Sequence, residues 1–102
     1  MDGPHLGVVL PNYGEAFDPG RLAAAAVAAE EAGLDSGWMT DHLLVPSRHA
    51  GIYGTIAEAL VTVGFLAGAT SRLRLGVSAL IVPQREPLAT LKQLVKIGRA
   101  HV

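Results

Sequence analysis

Apolar residues along this chain fall into three short continuous runs, each followed by a stretch in which they recur every third or fourth position. The first run, Leu6-Gly7-Val8-Val9-Leu10, is closed by Pro11-Asn12-Tyr13-Gly14. It is short, β-branched and bounded by turn residues, which predicts a strand buried on both faces. Asp18-Pro19 supplies an N-cap and a proline for the first helical position. Arg21 to Ala32 follows as an alanine-rich helix, with Leu22, Ala26, Ala29 and Gly33 along one side and Gly33 placed to end it. Small side chains on that face let a helix lie close against a sheet. Glu30 and Glu31 sit near the helix C-terminus, where the dipole disfavours carboxylates, and nothing in the sequence accounts for them.

Gly37 to Thr40 is the second predicted strand. The loop from Asp41 to Gly54 is long and polar, holds Pro46, Arg48, His49 and Tyr53, and exceeds what a connector needs. Thr55-Ile56-Ala57-Glu58 reads as a capping box, and Ile56, Leu60, Val63 and Ala67 behind it predict a helix over Thr55 to Gly68. Leu73 to Val82 is the third strand, alternating at first and then wholly apolar. Pro83 to Pro87 forms a loop, and Leu88, Leu91 and Val95 begin a third helix with Pro87 near its first turn. This βαβαβα pattern implies an α/β fold with a parallel sheet and right-handed crossovers, a rule that both the barrel and the doubly wound open sheet obey. Three parallel strands leave an edge and at least one face open, which such sheets do not tolerate in water. Either a second chain completes the sheet or the chain is part of a larger domain, and the second is the expectation.

Length and charge narrow the function classes. At 102 residues the chain has room for one domain at most, yet half of it is hydrophobic, an excess that calls for a partner surface. A net charge of -1, with no basic cluster interleaved with aromatics, argues against nucleic acid. The absence of cysteine removes disulfides and thiolate metal sites. His5, His42, His49 and His101 lack ligand spacing, so no metal is expected. No apolar run approaches the roughly 18 residues of a membrane span, and Met1-Asp2-Gly3-Pro4-His5 lacks the features of a signal peptide. A cytoplasmic protein without membrane or nucleic-acid partners is the expectation.

Chemistry concentrates in Ser36-Gly37-Trp38-Met39-Thr40-Asp41-His42. Asp41 and His42 leave the carboxyl end of the second strand together, the end at which parallel α/β folds bind ligands. Histidine transfers protons near neutral pH, and a neighbouring carboxylate can orient it; a helix-cap and hydrogen-bond pair would look the same. Trp38 reads as packing between sheet and helices. Arg72 and Arg74 mark the solvated start of the third strand, and Arg85 with Glu86 reads as a surface ion pair, with a ligand clamp as the alternative. Neither a Gly-x-Gly-x-x-Gly turn nor a phosphate-binding loop follows the first strand, which argues against a nucleotide-binding open sheet.

Five motifs, in order and at matching spacing, resemble the luciferase-like monooxygenase superfamily. They are Leu6-Gly7-Val8-Val9-Leu10-Pro11, Ala29-Glu30-Glu31-Ala32-Gly33-Leu34-Asp35-Ser36, Trp38-Met39-Thr40-Asp41-His42, Ala69-Thr70-Ser71-Arg72-Leu73-Arg74-Leu75-Gly76 and Val82-Pro83-Gln84-Arg85-Glu86-Pro87. The Asp-His form, with Tyr53 to Leu60 behind it, looks most like the branch that uses the deazaflavin coenzyme F-420 (F420). The resemblance covers nearly all of Leu6 to Val95. It implies a (β/α)8 TIM barrel, normally about 250 residues, of which residues 1–95 would be the N-terminal portion, the first three βα units. Members bind reduced flavin or deazaflavin at the carboxyl end of the barrel and transfer hydride or activate oxygen. Carried over by residue, His42 matches the family's active-site histidine near the flavin ring, implying catalytic and cofactor-binding roles, and Asp41 matches its acidic catalytic neighbour. Ala79-Leu80 matches the cofactor-binding site where several members place a non-prolyl cis peptide against the ring face, although core packing explains the small Ala79 equally well. The implied function is hydride transfer to or from F420 with a small-molecule substrate, in a full-length protein that is a homo-oligomer. An FMN-dependent monooxygenase is the alternative on the same scaffold. A non-catalytic α/β module completed by oligomerisation is the alternative of another class.

Ile97-Gly98-Arg99-Ala100-His101-Val102 keeps no apolar face. The string matches one reading frame of a common DNA-sequencing adapter, with Lys96 at the codon that straddles the junction. The family usually continues here with an aspartate and a Ser/Gly-Gly-Arg segment. Residues 96–102 are therefore expected to be a non-native tail. Sequencing the source DNA past codon 95 should reveal a different natural continuation; native coding sequence identical to codons 96–102, with no adapter bases, would overturn this.

Overall fold

The computed structural model describes residues 3–53, 55–97 and 100–101. Strands β1 (Gly7–Val9), β2 (Ser36–Met39), β3 (Arg74–Val77) and β4 (Ala100–His101) alternate with helices α1 (Pro19–Glu31), a single-turn α2 (Ala50–Tyr53), α3 (Ala59–Ala69) and α4 (Pro87–Ile97). The strands form one sheet in the order β1-β2-β3-β4, every neighbouring pair parallel. A doubly wound sheet reverses its order at a switch point. This sheet does not reverse, and a strictly sequential parallel order is that of a barrel wall. No helix among the described residues is long and apolar enough to cross a membrane.

Register assigns each strand residue to one of two faces, because side chains alternate along a strand. Val8, Gly37 and Leu75 align across the sheet, as do Met39 and Val77. This is the helix-covered face, and Leu10, Met39, Leu75 and Val77 bury there against Leu22 of α1 and Val63 and Leu66 of α3. Gly7, Ser36 and Arg74 align on the other face, as do Val9, Trp38 and Gly76. No helix among the described residues covers that side, and Val9 remains 68% exposed. The expectation that β1 is buried on both faces is thus corrected: helices cover only one.

Trp38 is also corrected. It lies on the inner face and not between sheet and helices. Its Nε1 donates to Ser36 Oγ at 2.9 Å, and its ring spreads over two glycines. A Cβ on Gly76 would sit 2.5 Å from the ring carbons, and one on Gly7 would sit 2.9 Å from Nε1. Only a residue without a side chain lets the indole lie this close to the neighbouring strands.

The helix boundaries follow local chemistry. Asp18 accepts from Arg21 N at 2.9 Å as the N-cap of α1, and Gly33 takes φ +87 just past its end, both as the sequence predicts. The predicted capping box at Thr55 does not form. Helix α3 starts four residues later, with Glu58 itself as N-cap, accepting from Val61 N at 2.8 Å. Residues 55–57 are drawn out by the turn after β1: Gly14 N donates to Thr55 O and Ala57 N to Asn12 O, both at 2.8 Å. Strand β3 stops at Val77, not Val82: the chain leaves the ladder there, takes Ile81 N to the Asp41 carboxylate and enters a helical turn at Val82–Gln84. In α4, Thr90 is buried and Leu94 and Ile97 pack on the core, while Leu88, Leu91 and Val95 face outward. That helix carries two apolar stripes, so its pattern alone does not select the inner one.

Glu30 finds its explanation here. Its carboxylate accepts from Arg72 N at 2.5 Å, Leu73 N at 2.7 Å and Ser71 N at 3.0 Å, tying the end of α1 to the start of β3. The hydrogen bonds from Arg72 and Ser71 dominate over burial and, with that from Leu73, lower its pKa from 4.5 to about 2. A lowered carboxyl pKa stabilises the fold above the ordinary value and loses that contribution as pH falls through the folded one. Chemical denaturation should therefore show stability dropping between about pH 4.5 and pH 2. Glu30→Gln should be less stable at neutral pH and should lose this part of the slope.

Candidate active site

Two rim segments meet where β2 and β3 end. Met39 and Val77 are in register, and Ser78 N donates to Met39 O at 3.0 Å, which keeps Thr40-Asp41-His42 beside Ser78-Ala79-Leu80. Beneath them lies Asn12, fully buried. Its Oδ1 accepts from Thr40 N and from Thr40 Oγ1, each at 3.0 Å, and its Nδ2 donates to Thr40 O at 3.0 Å and Ala57 O at 3.2 Å. One side-chain amide thus holds the ends of β1 and β2 and the approach to α3. Such a fully satisfied buried amide specifies one arrangement, because every alternative leaves polar groups dry and unpaired.

Asp41 is buried at 2% exposure, whereas His42 is exposed. The Asp41 carboxylate turns to Arg85, accepting from Nη2 at 2.5 Å and Nε at 3.2 Å, and it also accepts from Ile81 N at 2.8 Å. Arg85 Nη2 lies 2.6 Å from Glu58 Oε2 as well, an ion-pair contact rather than an aligned hydrogen bond. Burial alone would lower the Arg85 guanidinium, but pairing with Asp41 and Glu58 outweighs it and holds the group above its ordinary value. The expected surface pair of Arg85 with Glu86 is corrected accordingly. Arg85 is interior, and Glu86 caps α4 by accepting from Ala89 N at 2.6 Å.

His42 opens onto a cleft of about 290 Å³ lined also by Val45, Pro46 and His49. Arg48 Nε donates to His49 Nε2 at 3.2 Å on the same loop. Ala79 is exposed and Leu80 is half-buried against the core. The cis bond expected at Ala79-Leu80 lies one position earlier, between Ser78 and Ala79. A larger groove of about 540 Å³ runs along Leu88, Leu91 and Val95 of α4 and includes none of these rim residues. Among the described residues, no three acidic or histidine side chains converge as a metal ion would require.

The sequence reading singled out Asp41, His42, Ala79 and Leu80, and the fold brings their two segments together. It missed Asn12, read there only as a turn residue, and it missed the burial of the Arg85 side chain and its contact with Glu58. An acceptor and a donor on one side chain, in the turn that closes an apolar run, was the available signal for Asn12.

The luciferase-like monooxygenase family model matches residues 5–100. The chain belongs to this family. The F420-dependent glucose-6-phosphate dehydrogenase of Kineococcus radiotolerans is 46% identical over 79 residues, which is 78% of this chain and 23% of that protein. Among solved structures, an F420-dependent secondary alcohol dehydrogenase in complex with an F420-acetone adduct superposes with a TM-score of 0.75 at 22% identity, covering 96% of this chain and 30% of that one. The oxygenating constituent of 3,6-diketocamphane monooxygenase from Pseudomonas putida, in complex with FMN, gives 0.71 at 18%, covering 94% and 28%. At these identities the structures speak to fold alone, and the fold is the family's: β1 to α4 are the first three βα units of a (β/α)8 barrel. The chain spans less than a third of each of these proteins.

Asn12→Ala should destabilise the family fold by about 2–4 kcal/mol, because it strands Thr40 N–H, Thr40 C=O and Ala57 C=O in the interior. Equilibrium unfolding of the variant against the parent checks this.

Proposed function

We propose that this chain supplies the His42 side of the active site in an F420-dependent oxidoreductase that moves a hydride between the cofactor and a small-molecule substrate. The observation that carries the reading is an exposed imidazole at the C-terminal rim of a parallel sheet, beside an exposed alanine on the next strand's rim. F420, when bound, supplies a two-electron hydride carrier. The residues present fit such a group: Ala79 leaves the rim open to a flat ring, and Leu80 backs it from the core side. His42 moves the proton. In the oxidative direction the substrate carbon gives up its hydride, and the alcohol O–H proton goes to the His42 imidazole. Asp41 keeps the head of that loop in place.

The 46% and 42% identical relatives named as F420-dependent glucose-6-phosphate dehydrogenases support F420 over FMN and make the carbinol carbon of a phosphorylated sugar the first substrate to try. The FMN complex among the structural neighbours keeps the monooxygenase as the second reading. The same proposal holds the full-length protein to be a cytoplasmic homo-oligomer; the exposed stripe of Leu88, Leu91 and Val95 on α4 is apolar surface that the remaining barrel units or a second copy would cover.

Titrating F420 and FMN separately into the full-length protein from the source gene tests the reading. F420 should bind, and His42→Ala should lower kcat by about 10²–10⁴-fold. Binding of FMN alone selects the monooxygenase, and binding of neither removes both.

A further inference from the structure

We propose that Arg85, with Gln84 beside it, is a positioning residue that sets where His42 stands at the rim; this rests on the proton-transfer role given to His42 above. His42 lies between two anchored neighbours. On one side, the Asp41 carboxylate is held by Ile81 N and by two nitrogens of Arg85. On the other, Leu43 N donates to Gln84 Oε1 at 3.2 Å. All these anchors come from Ile81 to Arg85, the stretch that directly follows Ala79-Leu80. One short segment therefore governs both the backbone that carries the imidazole and the backbone that faces it.

The chemistry of the anchor is specific. A guanidinium offers a planar fork that meets both carboxylate oxygens at once, whereas an ammonium is a point charge that meets one. Water is a poor substitute, since the Arg85 and Asp41 side chains are only 7% and 1% exposed. The contact with Glu58, at the N-cap of α3, ties a third element to the same guanidinium. Arg85 reaches Asp41 and Gln84 reaches Leu43, the two residues that flank His42, and each acts through its own partner.

The test compares wild type, Arg85→Gln, Arg85→Lys and Gln84→Ala in the full-length protein, measuring kcat per bound cofactor, cofactor Kd and the histidine ring resonances by NMR. Arg85→Gln should lower kcat by about 10²-fold with Kd within about threefold, as expected for a misplaced reacting group. Arg85→Lys should recover part of that loss, and Gln84→Ala, a change at an exposed side chain, should show a smaller one. The His42 resonances should move in Arg85→Lys and Gln84→Ala while those of His5 stay. Should Arg85→Gln be insoluble, the other two variants decide by the same measurements. An unchanged kcat with unmoved His42 resonances overturns the proposal, as does a rate loss matched by loss of bound cofactor. A wild type that binds neither cofactor overturns the functional reading instead, and the resonances alone then decide whether Arg85 and Gln84 position His42.

Discussion

The structure depends on one constraint: a parallel sheet whose packing helices α1, α3 and α4 lie on a single side. With α1, α3 and α4 stacked there, alternate residues of every strand are committed to the core, and the others face the barrel axis. That division places Met39 and Val77 in the core beneath the helices and Trp38 and Gly76 on the opposite face. It also aligns the strand ends, so that whatever follows Met39 and Val77 emerges at one rim. Burying each leucine or valine of the core contributes about 1.5–3 kcal/mol, so a one-residue slip, which would turn the whole set outward, is strongly opposed.

Within that frame the polar interior carries the specificity. Asn12, Glu30 and the Asp41–Arg85–Glu58 group each join segments distant in sequence, and each uses side-chain chemistry to fix a junction that apolar packing leaves loose. The magnitudes differ in kind. An exposed ion pair contributes about 0–1 kcal/mol, whereas removing one member of a buried pair costs about 3–5 kcal/mol because the other is left charged and dry. Asp41 and Arg85 belong to the second class, and the position directly after Asp41 is His42.

Much of this was legible in the sequence. The runs Leu6–Leu10 and Gly37–Thr40, the Asp18-Pro19 cap and the Gly33 stop are local signals, and they locate their elements correctly. Local signals failed where a distant partner competed. Thr55 had the chemistry of a cap, but the turn after β1 claimed its backbone. Leu73 to Val82 had the apolarity of a long strand, but the chain departs after Val77 to bring Ile81 N to Asp41. The role of Glu30 was invisible because its three donors lie 41 to 43 residues away. Arg85 was read as a surface charge because composition cannot show that two acids from other elements converge on it. For the site itself, the adjacency of Asp41 and His42 was plain in the sequence, while the opposite exposure of the two side chains was not.

The chain has a single tryptophan, and the fold puts it on the face opposite the helices, laid across two glycines and only partly shielded. An indole so situated senses the polarity of the cylinder's lumen. Its emission then becomes an intrinsic optical gauge of closure: red-shifted while the wall stands open to solvent, and blue-shifted once further strands roof it over.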